Sequence, residues 1–152
     1  MFQTTFVSGC GESLVVYENT TLKIFSPNYP NQYPDNTTCE VNISAPDASS
    51  RLSVAVSNLD IEYEYECRYD YLEVITNIKK PGLLCGLING LVFNQTSYQS
   101  WVKLRFVSDR YVGGTGYEIE IRVARLDISV SPAGTELFGY LVQCALCNSR
   151  VE

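Results

Sequence analysis

The chain has 152 residues, of which 45% are hydrophobic and 18% are charged, so it is long and apolar enough for one globular domain, or for one domain with a tail. Seventeen acidic residues against eleven basic ones leave a formal charge of −6, which disfavours binding to a nucleic-acid backbone. The chain has no histidine, and this excludes a Ser-His-Asp triad, a Cys-His nucleophile pair and a histidine-ligated zinc.

Strands are predicted along the chain wherever apolar and polar residues alternate in short runs. The weaker candidates are Ser13 to Tyr17, Leu22 to Phe25 and Cys39 to Ser44. The stronger candidates are Arg51 to Leu59, Tyr69 to Ile75, Val102 to Val107 and Tyr117 to Arg122. Turns rich in Pro and Gly separate these runs, and no run has the 3.6-residue period of a capped helix. The pattern predicts an all-β protein, an antiparallel β-sandwich of jelly-roll type.

The same alternation predicts which side chains face the core. Leu72 and Val74 are on the inward face of their strand. Trp101 and Phe106 are interpreted as core residues of a later strand. Trp101 shares a face with Lys103, so the alternative interpretation is that it lies open to solvent.

Cysteines and glycosylation sequons indicate an oxidising compartment. The widely spread cysteines are Cys10, Cys39, Cys67 and Cys85, and they predict two disulfides. The sequons are at Asn19, Asn36, Asn42 and Asn94. Four sequons together with spread cysteines predict an extracellular protein, either secreted or the ectodomain of a membrane-anchored parent.

The two ends of the chain lead to further expectations. Met1-Phe2-Gln3 begins no signal-peptide pattern and no segment has the roughly 18 apolar residues of a transmembrane helix, so we expect a piece of a longer protein. Composition changes near Leu126, and residues 126–152 are interpreted as a tail or the start of a following unit. Within them, Cys144 and Cys147 have three open interpretations, namely a local disulfide, pairing with a neighbouring domain, and a truncated chain end.

A series of motifs runs from Cys10 to about Val123. In chain order they are Ser26-Pro27-Asn28-Tyr29-Pro30, Tyr33-Pro34, Cys39, Leu59-Asp60-Ile61-Glu62, Cys67-Arg68-Tyr69-Asp70-Tyr71-Leu72-Glu73-Val74, Leu84-Cys85-Gly86, Phe106-Val107-Ser108-Asp109 and Gly114-Thr115-Gly116-Tyr117. In this order and spacing the chain resembles the CUB domain, the extracellular module of complement proteases, tolloid-type metalloproteases, cubilin and spermadhesins.

This resemblance implies an architecture. It implies two five-stranded antiparallel sheets and the disulfides Cys10–Cys39 and Cys67–Cys85. It also divides the chain into an N-terminal extension at residues 1–9, a CUB domain at 10–125 and the tail at 126–152.

Three acidic residues, Glu62, Asp70 and Asp109, lie at predicted strand ends or in loops. Oxygen ligands without nitrogen or sulfur favour Ca²⁺ over Zn²⁺, but sequence spacing alone does not show that the three converge. The resemblance implies that they coordinate one Ca²⁺, that Tyr33 hydrogen-bonds the acidic cluster, and that the loop after Asp109 adds a backbone carbonyl, here that of Tyr111. The alternative interpretation is three solvated charges and a turn tyrosine packed on the neighbouring proline.

The resemblance also implies a function for the chain. An extracellular partner protein would present a Lys or Arg to Glu62 and Asp109 in the presence of Ca²⁺, with Tyr33 and Tyr111 as aromatic neighbours. The chain itself would be non-catalytic, and a multidomain parent would allow homo- or hetero-oligomers.

Three alternative functions stay open. One is a targeting or dimerising fragment of a secreted protease, and another is a spermadhesin-like binder of carbohydrate or phospholipid. Catalysis by two carboxylates, as in glycosidases, has no supporting motif in this sequence.

Overall fold

The computed structural model describes residues 3–8, 10–76, 82–96 and 99–124. Within these residues the chain forms ten strands and one short 3-10 helix, Tyr65–Cys67. The strands are β1 (Gln3–Ser8), β2 (Ser13–Val15), β3 (Thr20–Phe25), β4 (Thr38–Ser44), β5 (Arg51–Ile61), β6 (Tyr71–Ile75), β7 (Gly82–Leu84), β8 (Gly86–Thr96), β9 (Trp101–Val107) and β10 (Gly116–Ala124).

The strands form two five-stranded sheets, as expected. Sheet I has the order β1-β3-β10-β5-β8 and sheet II the order β2-β4-β9-β6-β7. Pairing is antiparallel except at one edge of each sheet, where β1 pairs with β3 and β2 with β4 in parallel. These parallel pairs arise because β1 to β4 alternate between the two sheets. The chain crosses to the other sheet between β1 and β3, and again between β2 and β4, so each pair runs in the same direction.

The core lies between the two sheets, where the inward residues of each strand are buried. Leu72, Val74 and Phe106 are all buried, which confirms their prediction. Trp101 is 40% exposed, so its interpretation as a core residue is wrong. Trp101 shares a face of β9 with Lys103, while the buried residues of that strand alternate with them.

Some strands differ from their predicted bounds, and three were not predicted. β5 continues to Ile61, and β6 begins at Tyr71 because Tyr69 and Asp70 form a bend after the 3-10 helix. The unpredicted strands are β1, β7 and β8, and each is an edge strand of its sheet. Edge strands alternate less clearly, since they contact fewer neighbours, and β8 also contains two glycines, Gly86 and Gly90.

Both disulfides that the resemblance implied, Cys10–Cys39 and Cys67–Cys85, are confirmed. Cross-links that close loops of this length stabilise a fold by about 3–4 kcal/mol each in a chain-entropy model. The second one fixes the loop between β5 and β6 to the junction of β7 and β8.

The proposed domain division stays a prediction. Strand β1 lies within the predicted extension at residues 1–9 and pairs with β3 in sheet I. The tail, with Cys144 and Cys147, falls outside the described residues. Across the part that the structure describes, no helix is long and apolar enough to cross a membrane.

Candidate metal centre

Three strand ends bring the acidic residues to one edge of the sandwich. Glu62 follows β5, Asp70 immediately precedes β6 and Asp109 comes two residues after β9. Because β6 and β9 are antiparallel, with Tyr71 opposite Val107, the start of one strand lies beside the end of the other. One carboxylate oxygen from each of the three acids lies within 4.8 Å of the others. We call Glu62, Asp70 and Asp109 the acidic cluster.

Asp70 is the interior member of the acidic cluster, since it is only 1% exposed. Its Oδ2 accepts a hydrogen bond from the Tyr33 hydroxyl at 2.6 Å, and its Oδ1 accepts one from the Asp109 backbone N–H at 2.6 Å. An ionised carboxylate accepts at both oxygens, so these two donors fix its orientation.

Tyr33 links two members of the cluster. Its hydroxyl donates to Asp70 and accepts a hydrogen bond from the Glu62 backbone N–H at 3.2 Å. Its ring is buried and packs edge-to-face on Phe106, with 5.0 Å between the ring centroids. Burial, followed by the hydrogen bond to Asp70, raises the pKa of Tyr33, so the phenol stays protonated and remains a donor.

Glu62 is the member of the acidic cluster whose carboxylate has a buried oxygen, Oε2, without a hydrogen-bond partner among the described residues. Burial raises the pKa of Glu62, and the negative charges of Asp70 and Asp109 raise it further. Within the same described residues, no ion pair joins Lys or Arg to any member of the acidic cluster.

Asp109 and Tyr111 form the outer side of the edge. Asp109 Oδ1 accepts a hydrogen bond from the Tyr111 backbone N–H at 2.8 Å. The Tyr111 side chain is 70% exposed, and the Arg110 guanidinium lies 4.8 Å from its ring centroid. The structure therefore joins Tyr111 to the cluster through its N–H, and the role of its carbonyl as a ligand stays a prediction.

Ser108 is a positioning residue that the sequence analysis did not identify. Its buried hydroxyl donates to the Pro34 carbonyl at 2.8 Å and accepts from the Thr37 N–H at 3.1 Å. These bonds hold the loop that carries Tyr33 against the end of β9. The residue was visible within the Phe106-Val107-Ser108-Asp109 motif, but its partners are about 70 residues away in sequence.

Three of the four predicted glycosylation sites lie on the surface. Asn19, Asn36 and Asn42 are exposed, and Asn94 lies within β8. Asn36 is hydrogen-bonded to the acidic cluster, because its backbone N–H donates to the Asp109 carbonyl at 2.8 Å. Whether these sequons carry sugar stays a prediction.

The donor set of the edge is suited to a hard cation. Three carboxylates meet without a counter-ion among the described residues, and one oxygen is buried without any partner. Such an arrangement is unfavourable by itself, since like charges repel and an unmatched buried acceptor loses its hydration. Ca²⁺ accepts oxygen ligands in flexible numbers, so Glu62, Asp70 and Asp109 fit it.

Comparison with known sequences identifies one family. A model of the CUB domain matches residues 10–121. Neuropilin-1 of Xenopus laevis is 35% identical over 112 residues, which cover 68% of this chain and 12% of that protein. Zinc metalloproteinase nas-39 of Caenorhabditis elegans is 32% identical over 124 residues, which cover 76% of this chain and 13% of that protein. The chain thus spans a small part of the length of these curated relatives.

Solved structures with the same fold include two that contain CUB domains of MASP proteins. The CUB1-EGF-CUB2 domain of human MASP-1/3 has a TM-score of 0.65 and 26% identity, and the match covers 76% of this chain and 43% of that one. The MASP-1 CUB2 domain bound to Ca²⁺ has a TM-score of 0.62 and 25% identity, and the match covers 72% of this chain and 96% of that one. Both support the two-sheet sandwich described above.

Proposed function

The chain belongs to the CUB domain family, and on that premise we propose that it binds one Ca²⁺ at the acidic cluster and uses it to capture a Lys or Arg of an extracellular partner protein. CUB domains are non-catalytic interaction modules found in extracellular proteases and receptors. The calcium site and the captured residue are the specific parts of the proposal.

The buried Oε2 of Glu62, which has no hydrogen-bond partner within the described part of the chain, is the observation that carries the calcium proposal. Removing a carboxylate oxygen from water without a partner costs about 1–3 kcal/mol, and more for a charged group. Glu62, Asp70 and Asp109 would hold the ion, with the Tyr111 carbonyl as a further oxygen ligand. When bound, Ca²⁺ neutralises the repulsion among these carboxylates and fixes the loops that carry them. The Ca²⁺-bound CUB2 domain of MASP-1 supports this choice of metal.

Differences in exposure within the cluster support the capture of a basic residue. Asp70 is enclosed and both its oxygens accept internal hydrogen bonds, whereas Glu62 and Asp109 are partly exposed. A lysine ammonium has three donors on a flexible stem, so it can reach both outer carboxylates together. Tyr33 is buried beneath them, which leaves the exposed Tyr111 as the aromatic neighbour on the surface.

A calcium titration by calorimetry tests the metal site. We expect one Ca²⁺ per chain, with a rise in melting temperature, because a ligand at a hundredfold excess over its Kd stabilises the folded state by about 2.7 kcal/mol. Glu62→Gln should abolish both effects. Glu118→Gln is the matched control, since it removes the same charge from a glutamate that is paired with Lys23. Absence of binding at millimolar calcium, or binding that survives Glu62→Gln, would contradict the proposal.

Basic-residue capture needs a separate test, and a short neutral peptide with one lysine is a suitable probe. Amide NMR shifts of residues 62 and 109 should move in a saturable way when this peptide is added in calcium. The same peptide with an acetylated lysine should leave them unchanged, because acetylation removes the charge. Equal shifts with both peptides, or shifts that persist with chelator, would contradict lysine capture without affecting the calcium site.

A second candidate concerns the parent protein. Relatives that include zinc metalloproteinase nas-39 and blastula protease 10 of Paracentrotus lividus favour a targeting or dimerising role within a secreted protease. This role is compatible with the first proposal, since the chain would still act through its interaction surface. Failure of calcium binding would favour the carbohydrate- or phospholipid-binding alternative.

A further inference from the structure

The loop after β5 presents two exposed tyrosines between acidic residues. Its sequence is Glu62-Tyr63-Glu64-Tyr65-Glu66, and Tyr63 and Tyr65 are the only two of the 11 tyrosines with an acidic residue on both sides. Tyr63 is 77% exposed and Tyr65 is 68% exposed. Two solvent-exposed phenols in an acidic segment have no role in the metal proposal.

We propose that Tyr63 and Tyr65 are acceptors for tyrosine O-sulfation during secretion. The proposal rests on the proposed extracellular location, and it does not depend on calcium binding. The co-substrate is a nucleotide phosphosulfate, which carries an activated sulfuryl group. The tyrosine oxygen forms a new O–S bond, the S–O bond to the donor phosphate breaks, and the phenolic proton passes to a base of the transferase. The products are a tyrosine sulfate ester and the nucleotide phosphate, with no oxidation or reduction.

Charge explains why these tyrosines are suited to such an enzyme. A transferase that holds a polyanionic phosphosulfate needs a basic site, and carboxylates on both sides of the acceptor are attracted by the same positive field. Glu64 flanks both tyrosines. Glu62 and Glu66 flank one each, so the acceptor segment has three acidic residues in five positions. Arg68 pairs with the Glu64 carboxylate, whereas Glu62 and Glu66 have no ion pair among the described residues.

Backbone geometry makes Tyr63 the more accessible acceptor. Residues 62–64 belong to neither a strand nor a helix, and Glu64 has an extended backbone at φ −145° and ψ 153°. A Cβ placed on Gly86 would lie 3.4 Å from Tyr63 Cδ2, so the ring lies beside a glycine, and the residue is 77% exposed. Tyr65 begins the 3-10 helix that ends at the disulfide-bonded Cys67. We therefore expect higher occupancy at Tyr63 than at Tyr65.

Tyr111 provides an internal control for the role of charge. It is 70% exposed, and therefore as accessible as the two candidate acceptors. Its neighbours are Arg110 and Val112, and the Arg110 guanidinium stacks on its ring. A basic transferase site would repel this arginine, so exposure without acidic neighbours should leave Tyr111 unmodified.

Sulfation would also change the proposed binding edge. A sulfate ester is negatively charged at every physiological pH, and Tyr63 directly follows Glu62 in the acidic cluster. Additional negative charge at the rim steers a basic partner toward the site and speeds association, with an effect that decreases as salt increases. Modification of Tyr63 would therefore strengthen recognition of the same class of partner.

Peptide mass spectrometry of the whole chain, secreted from animal cells, tests the proposal. Trypsin cleaves after Arg51, Arg68, Arg110 and Arg122, so peptide 52–68 holds both candidate tyrosines and peptide 111–122 holds Tyr111. We expect the mass of one or two SO₃ groups on peptide 52–68, resistant to phosphatase and absent when cells grow in chlorate, which blocks donor synthesis. Peptide 111–122 should be unmodified.

Two variants separate acidic context from simple exposure. Glu64→Gln should lower the occupancy of peptide 52–68 several-fold. Glu12→Gln, which removes an exposed acid next to β2, at the edge of sheet II opposite β7, should leave it unchanged. An unmodified peptide 52–68 in secreted protein, or equal modification of peptide 111–122, would overturn the proposal. The calcium titration uses protein from chlorate-grown cells, which carries no sulfate. The test of calcium binding and the test of sulfation are therefore independent.

Discussion

Carboxylates in two regions of this molecule have opposite surroundings. On the outer face of sheet I, Glu118 accepts a hydrogen bond from Lys23 Nζ at 2.8 Å and one from Asn58 Nδ2 at 3.1 Å. The bond to Lys23 is the main reason that the pKa of Glu118 is lowered. In the acidic cluster, burial raises the pKa of Glu62, and the negative charges of Asp70, Asp109 and Glu64 raise it further. A glutamate therefore stabilises the outer face of sheet I, whereas in the acidic cluster a glutamate is repelled by its neighbours.

Strand register explains the difference. In the middle of a sheet, the hydrogen-bond ladders fix which side chains meet. Lys23 of β3 is opposite residue 120 of β10, so Glu118 is the diagonal neighbour of Lys23. Glu40 and Lys103 meet in the same way across β4 and β9 in sheet II, with 2.8 Å between their charged atoms. At strand ends the ladders stop, and the loops bring like charges together. Strand pairing therefore places opposite charges together within the sheets, whereas the loops at the edge place like charges together.

Tyr33→Phe should have the largest effect of the three changes that probe this contrast. It removes the donor to Asp70 and the acceptor for the Glu62 N–H, so we expect the free energy of unfolding in chelator to fall by about 1–3 kcal/mol. Urea unfolding followed by circular dichroism measures this. Tyr117→Phe is the matched control, because Tyr117 is equally buried and only burial raises its pKa. Equal losses in the two variants would show that the Tyr33 hydroxyl has no special role.

Glu118→Gln should have a smaller effect with a defined pH dependence. We expect a loss of about 1 kcal/mol near pH 7, as for a partly shielded surface ion pair. The folded-state pKa of Glu118 lies below its ordinary value of 4.5, so the stabilisation is complete above that pH and is lost as pH falls through the folded pKa. Unfolding curves of both proteins between pH 7 and pH 3 should therefore converge toward acid. A gap that stays constant over this range would contradict the assignment.

Glu62→Gln should have the smallest effect in chelator, and with the opposite sign. Removing one of three neighbouring negative charges relieves repulsion with Asp70 and Asp109, so we expect a gain of a few tenths to about 1 kcal/mol. In calcium the same change should destabilise, because one ligand is lost. Melting curves with and without chelator test this reversal. A loss of stability both with and without chelator would contradict the prediction and would indicate that the Glu62 carboxylate stabilises the fold without calcium.

Several features of the fold could be predicted from sequence. Strict alternation in β5, β9 and β10 predicted their location, since a strand with one buried face has a period of two. The resemblance to CUB domains implied the two-sheet arrangement and the disulfide pairing, for which spread cysteines alone allowed several partners. Strands β1, β7 and β8 lacked a clear alternation and were missed.

Placement of the candidate site depended on long-range contacts. Nothing in the spacing of Glu62, Asp70 and Asp109 shows that they meet. The antiparallel register of β6 and β9 brings Asp109 N–H to Asp70, and Tyr33 reaches Asp70 across 37 residues of sequence. Among the residues that the structure describes, Glu62 Oε2 has no hydrogen-bond partner, and its burial arises only when the loops pack together.

The sequence by itself determined the all-β class, the principal strands and the set of acidic residues, and it predicted export. Alternation, cysteine spread and sequons are local properties of the chain, so they can be identified without a structure. The tertiary structure decided the parallel sheet edges, the exposure of Trp101 and the convergence of three carboxylates around the buried Tyr33 hydroxyl. These depend on which strands become neighbours, and that is settled by packing of the whole sandwich.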